Sequence, residues 1–112
     1  LGSQLIATGD QWDAFVVLDN LNAGADDDYI LSQWLSTAGN RTIFLFHRES
    51  GLEAFNGSTG AQPSGSTTLV SNKPYIFGSS YDGTNLAVHI NGQQDASISA
   101  GAMTLSDIPL YL

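Results

Sequence analysis

Tyr81-Asp82-Gly83-Thr84-Asn85-Leu86-Ala87-Val88-His89-Ile90-Asn91-Gly92-Gln93 reads, in that order, as turn, strand and turn. Asp82-Gly83 and Asn91-Gly92 are dipeptides that tolerate positive φ at both centres of a type I′ turn, the strongest short-range hairpin signal a sequence carries. Between them Leu86, Val88 and Ile90 alternate with Ala87 and His89, the period of a half-buried strand. Turns at both ends and burial in the middle fix the register, so this strand is expected inside its sheet rather than at an edge.

Working upstream, Tyr75, Phe77, Ser79 and Tyr81 share one predicted face, and Ile76, Gly78 and Ser80 the other. Pro74 starts that strand, where its missing N–H costs no ladder bond. Further strands are predicted at about 13–19, 29–33, 41–47, 52–55 and 67–70, with a possible short one at 1–6. The stretch 34–40 reads as a loop or short edge segment. In 41–47 both faces are apolar, as for a strand covered on two sides. Asn56 to Ser66 is a turn-rich stretch dense in Gly, Ser and Thr. Downstream, 94–100 alternates around Ala96 and Ile98, and a last strand is predicted at 107–112. About eight or nine short strands with turns every ~8–12 residues, and no helical periodicity, predict an all-β antiparallel sandwich or jelly roll.

The chain has 112 residues, enough for a single domain with one core. Eleven acids against Arg41, Arg48 and Lys73 leave a net charge of −8. That surface repels phosphate backbones and anionic headgroups, so nucleic acid and membrane surfaces are not expected partners. A neutral sugar or a calcium ion is compatible with the charge. There is no cysteine, hence no disulfide frame or thiolate chemistry. No run approaches the ~20 apolar residues of a membrane span. The chain opens without Met or a basic leader and closes in a strand-like stretch, so it reads as an excerpt of a longer polypeptide.

The order of these strands resembles concanavalin A-like, laminin G-like jelly rolls. The resemblance rests on Tyr81-Asp82-Gly83, Leu86-x-Val88-x-Ile90-Asn91-Gly92, the preceding Tyr75-Ile76-Phe77-Gly78, and the upstream strands from Phe15-Val16-Val17-Leu18 to Gly51-Leu52. Pro109-Leu110-Tyr111-Leu112 resembles a strand that usually precedes a glycine in these modules. The match covers about 13–112. It is specific for fold and weak for function, because its motifs are turn and burial patterns. The family's modules are generally longer. Neighbouring segments or subunits of a parent assembly are therefore expected partners.

Some relatives of this kind are glucanases that carry Glu-x-Asp-x-x-Glu on one strand. This chain has only two glutamates, Glu49 and Glu53, with Ser50-Gly51 between them, and no Gly-x-Ser-x-Gly. No enzyme is expected. Others bind calcium at a loop rim, which makes Asp26 and Asp28 of the Asp26-Asp27-Asp28 run candidate ligands for calcium, although the spaced Asp-x-Asn run of legume-type lectins is missing. No cofactor is otherwise indicated. His47 and His89 would approach each other if their strands paired, but two histidines alone make a poor zinc site.

Sugars are held by aromatic faces and planar polar groups, which selects Trp34, His47, Arg48 and His89 as candidate ligand-binding residues, Trp34 as an indole exposed on a loop. Asn40-Arg41-Thr42 and Asn56-Gly57-Ser58 match the N-glycosylation pattern, a common chance match in a chain so rich in Asn, Ser and Thr. The expected function is non-catalytic recognition or adhesion, by glycan binding or through a surface protein, in a larger extracellular or virion-surface protein. The competing expectation is a structural decoration or interaction domain of a viral particle or appendage. Any ligand site is expected on the Ala87 and His89 face or in the loops at 20–28 and 34–40.

Overall fold

The computed structural model describes residues 11–18, 28–34, 41–48, 51–103 and 110–111, with side chains described for 11–18, 30–32 and 51–103. Eight strands follow one another: β1 Trp12–Leu18, β2 Asp28–Trp34, β3 Arg41–Arg48, β4 Gly51–Asn56, β5 Tyr75–Tyr81, β6 Asn85–Ile90, β7 Gln93–Ser99 and β8 Leu110–Tyr111. They form two four-stranded sheets of order β1-β5-β6-β7 and β4-β3-β2-β8. All pairings are antiparallel. No helix occurs among the described residues. The expected strand at 1–6 lies outside them.

The two sheets face each other across one apolar cluster. Leu31, Leu52 and Ala54 come from one sheet, and Trp12, Phe77, Tyr81, Leu86, Val88 and Ile90 from the other. Alternation dictates this. Every second residue of β5 and β6 turns inward, and Phe77, Leu86 and Val88 are fully enclosed. Burial of such side chains contributes about 1.5–3 kcal/mol each. As the sequence implied, β6 is an interior strand, between β5 and β7.

The two flanking turns differ from each other. Asn91 and Gly92 both have positive φ (51° and 79°), as a type I′ turn requires, and Ile90 pairs with Gln93 across it. Asn91 also continues the β5–β6 ladder: its N–H donates to Ile76 O (2.8 Å), and its Oδ1 accepts from Ile76 N (2.9 Å). Asp82-Gly83 is not the expected two-residue turn. Only Gly83 has positive φ (95°), and the connection runs through Thr84. Asp82 Oδ1 accepts from the N–H groups of Thr84 (2.8 Å) and Asn85 (2.7 Å). The side chain shapes this loop in place of a tight backbone turn.

The predicted strand at 67–70 does not form. Its backbone donors are taken by side chains: Thr67 N–H by the Asp95 carboxylate (3.2 Å to each oxygen) and Val70 N–H by Tyr75 Oη (2.9 Å). Asp95 sits where the β6–β7 register shifts, between the pairs Val88/Ala96 and His89/Gln94. Gly65 passes so close that an added Cβ would collide with the Asp95 carboxylate. This end of the β7 edge is thus bulged and held against the 65–67 segment, two ways of blunting an edge strand. Of the last strand expected at 107–112, Leu110–Tyr111 pair onto β2, and the rest lies outside the described residues.

Candidate functional site

The outer face of the β1-β5-β6-β7 sheet is set by register. Asp13 pairs with Ser80 and Ser80 with Ala87; Phe15 pairs with Gly78 and Gly78 with His89; Val17 pairs with Ile76. Directly paired residues point to the same side of a sheet, so these are three cross-strand rows on the face opposite the core. The middle row has a dip in it. Gly78 supplies no side chain between Phe15 and His89, and a shallow depression of about 220 Å³ opens there, lined also by Asp13, Ile76 and Gly92.

The rim of the depression is unusually apolar for a surface. Phe15 is 76% exposed, Val17 66% and Ile76 47%. Single exposed apolar residues need no explanation, but three together on one face beside a depression make that face the candidate site. The polar element is a contact of 2.8 Å between Ser80 Oγ and His89 Nε2, in which either group donates according to the imidazole tautomer. Ser80 and His89 are diagonal neighbours on adjacent strands, a spacing that long side chains bridge. Asp13 contributes a carboxylate one row away.

The predicted ligand residues are not brought together. His89 lies in the depression, on β6. Trp34, His47 and Arg48 belong to the other sheet. Trp34 is the last residue of β2, paired with Arg41, and is not in a loop. His47 pairs with Asp28 at the other end of the β2–β3 ladder, and Arg48 with Gly51 where β4 begins. Arg41 and His47 are six residue steps apart along β3, roughly 20 Å. His47 and His89 stand in different sheets, so their strands do not pair. Ala87, expected on the ligand face, does lie there, but it is only 6% exposed.

Of the calcium candidates, Asp28 opens β2 and Asp26 falls outside the described residues. Among the described residues no group of three or more His, Asp or Glu is placed to hold a metal. Glu53 accepts a hydrogen bond from Gln62 Nε2, while Glu49 falls outside the described residues. Asn56 of one glycosylation pattern is 0% exposed, and its Oδ1 accepts from Ser58 N–H (3.0 Å) and Thr59 N–H (3.2 Å). Folding closes that sequon.

Phe15, Ile76, Gly78 and Ser80 were not singled out as ligand residues from the sequence. The signal was present in two pieces. Phe15-Val16-Val17-Leu18 is apolar at successive positions, so a strand there must carry apolar side chains outward, and Ile76, Gly78 and Ser80 share that outward face. Comparison with protein-family models, curated proteins and solved structures found no significant match.

Proposed function

We propose that the chain is a non-catalytic recognition module that binds a glycan on the outer face of the β1-β5-β6-β7 sheet. In this reading the two sheets are a jelly roll of concanavalin A-like, laminin G-like type, within a larger extracellular or virion-surface protein. The observation that carries it is Phe15, three-quarters exposed beside a depression lined also by Asp13 and by His89, whose imidazole is hydrogen-bonded to Ser80. An aromatic face for sugar C–H groups beside hydrogen-bonding side chains is the composition a sugar site needs. The acidic surface disfavours an anionic ligand and is compatible with a neutral one.

The Ser80–His89 contact has the length of a nucleophile–base pair, yet its surroundings argue against hydrolysis. Both residues lie in interior strands, whose N–H groups are committed to ladders on either side, so the backbone that carries the pair offers no oxyanion hole. Asp13 neighbours Ser80 in register and is not beyond the imidazole, where a triad carboxylate belongs.

Val17 and Ile76 favour a second reading, in which the same face packs against a protein neighbour in a particle or appendage. A glycan array separates the two. Glycan-dependent binding by the wild type, abolished in Phe15→Ala, is the result expected of a glycan-binding module. Binding to no glycan would leave the packing role.

A further inference from the structure

Gly78 is a glycine that folding does not require. It lies inside β5, between two paired strands, where glycine weakens a sheet. Its φ is not in the left-handed region. An added Cβ would meet Ala14 O and His89 Cβ at 3.5 Å each, ordinary van der Waals contact. A side chain therefore fits the backbone at this position, and what it would occupy is the floor of the depression. A glycine beside an aromatic residue is often covered by the ring, which folds over it. Phe15 does not do so here, because it is 76% exposed.

We infer that Gly78 is the size-determining residue of a single-ring subsite, in which one neutral pyranose is held between the Phe15 ring and the His89 imidazole; this rests on the glycan reading above. Phe15 and His89 spring from strands two interstrand steps apart, roughly 9.5 Å. A ring in contact on both sides, at about 3.5–4.0 Å each, needs 7–8 Å or so. Modest leaning of the two side chains closes that difference, and one ring fills the gap. Asp13 and the Ser80–His89 pair lie beside it, where ring hydroxyls can donate to the carboxylate and exchange hydrogen bonds with the hydroxyl–imidazole pair. A charged uronic or sialic sugar is disfavoured by Asp13 and the net charge of −8.

The test is calorimetric titration of wild type, Gly78→Ala and Gly78→Val with neutral oligosaccharides drawn from the array, alongside thermal melts. The expected result is that Gly78→Ala melts no lower than wild type yet binds at least tenfold more weakly, and that Gly78→Val does not bind. Equal saccharide affinity in wild type and Gly78→Ala would overturn the subsite while leaving the glycan reading intact. Failure of every saccharide to bind the wild type would overturn both. If valine at this position disturbs the sheet, the alanine variant alone decides, since its Cβ meets only ordinary contacts.

Discussion

Phe15 and His89 stand on either side of Gly78 in one cross-strand row, on the sheet face turned away from the core. One is an apolar ring exposed to water and the other a partly covered imidazole tied to Ser80. This arrangement separates the proposed ligand face from the core, because the residues that hold the sheets together point the other way. Variants on the two faces should therefore behave differently.

Phe15→Ala removes a ring that contributes little burial. Its unfolding free energy should stay within about 1 kcal/mol of wild type, the span of strand propensity at an exposed site. Glycan binding should be lost. Urea unfolding beside array binding checks both halves, and a large loss of stability would mean that Phe15 serves the fold instead.

Tyr81, the tyrosine of the Tyr-Asp-Gly stretch, is 2% exposed. Its hydroxyl donates to Gly101 O and accepts from Met103 N–H (3.4 Å), tying the segment after β7 back to β5. Tyr81→Phe keeps the packing and leaves those backbone groups unpaired. It should cost about 1–2 kcal/mol, seen as a lower urea midpoint at unchanged slope. Saccharide binding should not change.

Ser79 is a position where substitution should stabilise the fold. It lies on the core face between Ala14 and Val88, is 1% exposed, and its hydroxyl has no partner among the described residues. Ser79→Ala deletes a buried polar atom while keeping the Cβ. A gain of roughly 1 kcal/mol is expected in the same unfolding experiment.

Asp82 gives the acid response a defined sign. Hydrogen bonds from the Asn85 backbone N–H, the Asn85 side chain and the Thr84 N–H hold its pKa below the ordinary carboxylate value. A depressed folded-state pKa means the unfolded chain takes up the proton first. The stabilisation is then complete above the unfolded value of about 3.9 and is lost as pH falls through the lower folded value. Asp82→Asn should remove this part of the acid dependence, read as a flatter stability profile below about pH 4.

The fold was legible where a residue's local pattern also decides its tertiary place. Leu86, Val88 and Ile90 alternate between turn signals, and they are the core row of an interior strand. The 67–70 segment misled because its strand-like composition says nothing of Asp95 and Tyr75, distant side chains that take its backbone donors. Asp82-Gly83 misled because a carboxylate cap outcompeted the two-residue turn. The site was less legible still. Residue type selected Trp34, His47, Arg48 and His89, but membership of a site depends on which strands pair, and the topology puts His89 in one sheet and the others in the second. Gly78 carries no chemistry of its own, and only register shows that it leaves a gap between Phe15 and His89.

The most direct test of the proposed glycan face is amide chemical-shift mapping during titration with an array-selected neutral oligosaccharide. The expected result is saturable shifts at Phe15, Gly78, Ser80 and His89, with the amides of Trp34, His47 and Arg48 unmoved. Shifts confined to Trp34, His47 and Arg48, or absent from the β1-β5-β6-β7 sheet, would contradict it.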